Sequence, residues 1–148
     1  MSTTGPLTFE LVTPDGVRFS EAVYEVMLPT PDGQIAVLPH HAELTSVASA
    51  GVVSVRRHES DADSTLEHFA TNGGIIEVDG PVVRLLADSA EHAADIDAQH
   101  AAEALRRAQE LRANADDHVA LADAEALIEH NIARIKVAEL QKRTRKKY

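Results

Sequence analysis

The chain contains no cysteine and no tryptophan, and only 3% of its residues are aromatic. The missing thiol excludes disulfides, thiolate nucleophiles and cysteine-held metal sites, and it suits a reducing compartment. With so few rings, a core must be built from the Val, Leu, Ile and Ala that dominate a 44% hydrophobic fraction. No apolar run approaches the roughly 20 residues that a membrane-crossing helix needs. The start, Met1-Ser2-Thr3-Thr4, carries no basic region followed by an apolar one, so no targeting leader is expected.

Positive charge is also scarce, and it is unevenly placed. Residues 1–141 hold nine Lys and Arg against all 24 Asp and Glu, a net −15. Lys142, Arg143, Arg145, Lys146 and Lys147 then return +5 over the last seven residues. An acidic body repels a phosphate backbone, so nucleic-acid binding is not expected. The basic tail suits an acidic protein surface, although a solvated, frayed terminus is the commoner outcome.

What is present begins with alternation. Within 148 residues there is room for one ordinary domain, or a small domain with an appendage. Leu7, Phe9 and Leu11 alternate with Thr8 and Glu10, the pattern of a half-buried strand. Pro14-Asp15-Gly16 and Pro31-Asp32-Gly33 are turn signals, Pro presetting one dihedral and Gly accepting a positive φ. Further strands are predicted at 17–19, 22–28, 34–38, 44–47, 51–57, 65–71, 75–78 and 82–87. A loop is expected at 58–64, and turns at Gly73-Gly74 and Asp79-Gly80-Pro81. So many short strands with regular turns point to a β-sandwich or barrel.

From Ser89 the period changes. Asp95 or Asp97 is placed to cap a helix, with Ala101, Ala104, Leu105, Ala108 and Leu111 along one face. The stretch 114–117 breaks the pattern and caps a second helix, whose face is Leu121, Ala124, Leu127, Ile128, Ile135 and Ala138. A loop that short makes the helices antiparallel neighbours. The expected architecture is therefore β plus α: an all-β sandwich over 1–88, an αα-hairpin over 89–141 and a basic tail over 142–148. The alanine-rich seams bury little area, so the hairpin's position depends on what else it touches.

Catalytic constellations are absent from the sequence. The eight histidines show no HExxH or other metal spacing, and there is no GxSxG elbow and no GxxxxGK[ST] loop. No enzyme acting alone is expected. A third reading, a histidine-bound metal enzyme, would need a spacing the sequence lacks.

FELVTPDGVRF, VMLPTPDGQIAVLPHHAEL, GVVSV, FATNGGIIEV and LLADSAEHAADID stand in order from about Leu7 to Leu140. Together they resemble the epsilon subunit of the bacterial F-type ATP synthase. The resemblance implies a noncatalytic rotor subunit of the central stalk. Its sandwich would bind the gamma subunit and the c-ring, and its helices would restrain ATP hydrolysis at the catalytic alpha/beta head. It implies a peripheral place on the cytoplasmic side of the cell membrane, with no direct insertion. The alternative reading is an ATP-sensing regulatory module whose hairpin binds nucleotide; a mitochondrial counterpart is another, and the absence of a leader favours a bacterial source.

The resemblance also assigns residues. Asp32, Gly33 and Gln34, with His40, His41 and Ala42, match the family loop that faces the c-ring. His40 stands where relatives often have Gly, which tolerates dihedrals that His resists. Arg134, Lys136, Lys142, Arg143, Arg145, Lys146 and Lys147 are the candidate cations for an inhibitory contact with a catalytic subunit. Some bacterial relatives bind ATP in the folded hairpin through an I-D-x-x-R-A motif; here the corresponding residues are Ile96, Asp97, His100 and Ala101. Glu91, Arg107 and Arg134 match further positions, while His130 replaces a second arginine. Losing two permanent cations that bind phosphate bidentately implies weak or absent ATP binding near neutral pH, and no cofactor.

Overall fold

The computed structural model describes residues 6–145. Eight strands come first: β1 (Leu7–Thr13), β2 (Gly16–Val23), β3 (Glu25–Thr30), β4 (Gly33–Val37), β5 (Leu44–Arg56), β6 (Glu67–Asp79), β7 (Val82–Ala87) and β8 (Ala90–His92). Two helices follow, α1 (Ala98–Ala113) and α2 (His118–Arg145).

The strands form one hydrogen-bonded path, β2-β1-β7-β6-β5-β3-β4, with β8 paired to β6 off that path. The path folds over itself because β5 and β6, 13 residues each, serve both halves. β7 takes residues 74–79 of β6, whereas β8 takes 69–71, and β3 takes only 54–56 of β5. The result is the predicted β-sandwich. The turns at Gly16 and Gly33 adopt φ of 122° and 121°, and each is clasped by a threonine hydroxyl, of Thr13 or Thr30, donating to the glycine carbonyl.

Alternation decides the core. Leu7, Phe9, Leu11, Val26, Leu28, Val53, Ile76, Val83 and Leu85 are all essentially inaccessible to solvent. Each such side chain contributes about 1.5–3 kcal/mol by leaving water. All three phenylalanines join in this core, with Phe19 5.6 Å from Phe9 and 5.4 Å from Phe69, the latter pair edge-on.

Several expected breaks are not breaks. The strands predicted at 44–47 and 51–57 are one β5, and those at 65–71 and 75–78 are one β6. Gly73 and Gly74 do have φ of 99° and 154°, but they lie inside β6 rather than in a turn. A Cβ on Gly74 would stand 1.9 Å from the Leu86 carbonyl oxygen, so glycine is there for close backbone approach. The small residues Ser49, Ala50 and Gly51 belong to the floor under α2. The strands predicted at 17–19 and 22–28 are likewise redrawn as β2 and β3, meeting at Tyr24. The sheet also takes in residues 90–92, past the expected division at 88.

Asp97 caps α1, its Oδ1 accepting from the amides of Gln99 (2.9 Å) and His100 (3.2 Å). Asp95 instead closes a short 3₁₀ turn, Ala93–Asp95. Asp117 caps α2 through the Ala120 amide, 2.7 Å away. Ala101 and Ala108 of α1 are buried, and α1 rests mainly on α2. On α2 the predicted face holds at Ala124, Ile128 and Ala138, but Leu127 is exposed. A second, unpredicted face, Ala133 and Val137, packs with Ala70 of β6, Ala93, and the half-buried Val52 and Ile96. This docks α2 on β5 and β6.

Candidate interaction surfaces

The segments assigned to the c-ring region flank β4. Asp32, Gly33 and Gln34 are exposed at its start, and His40, His41 and Ala42 follow its end. Five extended residues separate them by roughly 16 Å, so they form two tips rather than one loop. His40 has φ of 66°, the one positive value at a non-glycine residue among the described residues. The position where the resemblance expects glycine thus has a left-handed backbone in this chain. His41 closes the turn, its amide donating to the Leu38 carbonyl at 3.1 Å and its Nδ1 lying 2.6 Å from the Ala42 carbonyl oxygen. Gly33 and Gln34 also border a groove against α2, with Ile132, Lys136 and Leu140 opposite.

Four of the residues assigned to a nucleotide site come together where β8 meets α2. Arg134 holds Glu91 in a two-pronged ion pair, Nε to Oε2 at 2.6 Å and Nη2 to Oε1 at 3.4 Å. Its third nitrogen donates to Asn131 Oδ1 at 3.0 Å, and the buried Asn131 donates in turn to the Leu127 carbonyl. Asp97 is near enough to feel Arg134, but the amides of His100 and Gln99 do most to hold its carboxyl below the usual carboxylate range. His130 lies beside the pair, and burial pushes its imidazole down, with Glu91 opposing and Arg134 adding to the shift. His100 and Arg107 are exposed, Ala101 is buried, and Ile96 belongs to the docking patch. The arrangement neutralises Arg134 from within, so the group that would meet a phosphate is already paired.

Of the cations assigned to an inhibitory contact, Arg134 is therefore engaged, while Lys136, Lys142 and Arg143 are exposed. Lys146, Lys147 and the side chain of Arg145 lie outside the described residues. No group of three or more His, Asp and Glu able to hold a metal occurs among the described residues. No described helix is long and apolar enough to cross a membrane.

A surface that the strand assignment passed over lies on the outer sheet face. Val12 is opposite Leu86, Leu86 opposite Ile75, and Ile75 opposite Val47, forming one row across β1, β7, β6 and β5. Val47 is 55% exposed, Ile75 41% and Leu86 39%. The next row is charged: Arg84 bridges Glu10 at 2.8 Å and Glu77 at 3.3 Å. Adjacent apolar pairs, Leu11-Val12, Ile75-Ile76 and Leu85-Leu86, were the available signal, since alternation sends one member of each pair outward.

His92 ties the linker to the sandwich. Its Nε2 is 3.1 Å from Glu67, which also meets Arg57 at 2.8 Å, and Arg57 is bonded to Glu21 and lies over the Phe19 ring. The imidazole stands edge-on to Phe69, and its Nδ1 accepts from the Ala94 amide at 3.1 Å.

Residues 6–93 match the beta-sandwich domain of the ATP synthase delta/epsilon chain. The whole architecture is similar to a chain in the cryo-EM structure of the Euglena gracilis mitochondrial ATP synthase (OSCP/F1/c-ring, rotational state 1). The TM-score is 0.74 at 20% identity, covering 87% of this chain and 79% of that one. A chain in the Tetrahymena thermophila mitochondrial ATP synthase central stalk/c-ring structure gives 0.61 at 12% identity, covering 93% and 99%. At such identities the likeness is one of fold, and its extent carries it beyond residue 93 into the helices. Sandwich, strand register and family match agree, and the chain belongs to the ATP synthase delta/epsilon chain family.

Proposed function

We propose that this chain is the noncatalytic epsilon-type subunit in the central stalk of a bacterial F-type ATP synthase. Its sandwich joins the gamma subunit to the c-ring, and its helices restrain ATP hydrolysis at the alpha/beta head. The complex places it peripherally, on the cytoplasmic side of the cell membrane. The bacterial, epsilon-type assignment is carried by the sequence resemblance, since the two assemblies described above are mitochondrial. The central-stalk role draws on the Tetrahymena assembly, described as central stalk and c-ring.

The observation that best supports a regulatory hairpin is the inequality of two cores. The sandwich buries Phe9, Leu7, Leu11, Leu28, Ile76 and Leu85 completely. The α2 docking patch has Ala70, Ala93, Ala133 and Val137, helped by Val52 and Ile96. An alanine methyl contributes only about 0.8 kcal/mol on burial. Hairpin release therefore takes far less free energy than sandwich unfolding. In this reading the apolar row at Val47, Ile75 and Leu86 is the gamma-binding face, the tips flanking β4 approach the c-ring, and release frees Arg134 to join Lys136, Lys142, Arg143, Arg145, Lys146 and Lys147.

The test compares ATP hydrolysis by a reconstituted catalytic head with gamma, adding either the full chain or a chain ending at Ala93. Inhibition by the full chain that disappears on truncation is the expected result. Equal inhibition by both would remove the helices from regulation.

A second reading, an ATP-sensing hairpin, is favoured by the convergence of Glu91, Asp97, His130 and Arg134. The internal pairing of Arg134 and the histidines at 100 and 130 make it a degenerate site that binds ATP weakly or not at all.

A further inference from the structure

α2 carries a half-buried histidine that is poorly placed to hold a second proton. His130 borders a groove of about 630 Å³ walled by Ala48 and Ala50 of β5, Asn72 and Gly74 of β6, and Asp88. Its Nδ1 is buried and has no hydrogen-bond partner among the described residues. A neutral imidazole tolerates this, because one ring nitrogen bears no proton and forgoes only an acceptor role. The imidazolium has two N–H groups. The second would be a charged donor, out of water, with nothing to accept it.

The neighbouring charges do not rescue it. From β8, Glu91 favours the imidazolium, but that carboxylate is already spanned by Arg134, whose own charge opposes protonation. Asp88 after β7, and Asp123 and Glu129 on α2, line the same groove but are exposed, so water screens them. β5 and β6 present no charged side chain there, and no charge on α1 reaches the ring.

We propose that His130 is an acid-operated release for the hairpin: protonation expels the ring and lifts α2 off β5 and β6 while the sandwich stays folded. Release rather than local adjustment follows from the patch that holds α2 down, which is mostly alanine. The sandwich persists because its core is separate and larger. The sign is fixed by the neutral form being the docked one. Docking is complete above the ordinary imidazole pKa of about 6.5 and weakens as pH falls through it. The inference concerns the free chain, so it stands or fails independently of any role in an ATP synthase.

The experiment is amide hydrogen exchange on the full chain at pH 7.5 and 5.5, corrected for the intrinsic pH dependence of exchange. One unit below 6.5, the released state should gain by up to about tenfold. Protection across 129–140 should therefore fall severalfold, to at most about tenfold, with β5 and β6 unchanged. His130→Gln should abolish the difference, and His68→Gln, altering the buried histidine of β6, should keep it. Unchanged protection in the parent chain would overturn the proposal, as would a fall persisting in His130→Gln or shared equally by the strands. Should His130→Gln undock at both pH values, ring NMR of the parent chain decides. Titration of His130 in step with loss of α2 protection supports the release, and titration with α2 still protected refutes it.

Discussion

His68 and Gly74 show how a residue's surroundings, rather than its type, set its meaning. His68 is buried on β6, its Nδ1 2.8 Å from the Ser54 hydroxyl, and burial pushes its imidazole down, with His92 adding to the shift. Sequence reading gave His68 no role, since nothing in spacing distinguishes a ring under a sheet from one in water. The two glycines of the Gly73-Gly74 pair were legible as positive-φ positions but not as strand interior, because the reason is close approach to neighbouring strands, to the Ala48 carbonyl at 73 and far more tightly to the Leu86 carbonyl at 74. Two alanine substitutions separate those causes. Gly80 also has a positive φ, at 56°, yet a Cβ there meets nothing within 4 Å. Gly80→Ala should destabilise by about 1–2 kcal/mol, the cost of a left-handed L-residue. Gly74→Ala adds an overlap with backbone that cannot swing away, and should exceed about 3 kcal/mol. Urea unfolding midpoints check this, and equal losses would show that conformational strain alone governs both sites.

Among elements, those bounded by strong turn signals were legible and those that merely thin out were not. The strand at 82–87 is found as predicted, and Asp97 and Asp117 cap the two helices on either side of the short loop. β5 and β6 were each split because Ala48-Ser49-Ala50-Gly51 and Gly73-Gly74 resemble breaks in one dimension. In three dimensions the small residues of β5 make the floor on which α2 lies. For the same reason only the stripe of α2 with the larger side chains, Leu121, Leu127, Ile128 and Ile135 among them, was read. The sheet-facing one is made of Ala133 and Val137, too small to mark a period without knowing what lies beneath. The hairpin carries its own prediction. Arg134 gives its bidentate face to Glu91, and histidine stands at 100 and 130, so calorimetric titration with ATP at neutral pH should show no saturable heat in the micromolar range. Micromolar affinity would mean that nucleotide displaces Glu91, and the sensing reading would replace the degenerate one.

At the scale of the whole molecule, two cores of unequal strength share β5 and β6. One side of these strands faces the sandwich interior, and the other receives α2 through a few small side chains. The fold was legible because turn chemistry and alternation span most of the chain, and the family because five segments in order resemble it. The outward row Val47-Ile75-Leu86 was not, because register between distant strands is needed to see three separate residues as one surface. An apolar row beside a row of ion pairs suits a partner that buries the first and is oriented by the second. The decisive measurement is the affinity of the purified chain for its cognate gamma subunit, with a chain ending at Ala93 and the full-length Ile75→Lys variant alongside. The full and shortened chains should bind gamma equally, because the sandwich supplies the grip, and Ile75→Lys should lose at least tenfold, the equivalent of about 1.4 kcal/mol. No complex with the full chain, or binding that depends on the helices and ignores Ile75, would contradict the division of labour between anchor and hairpin.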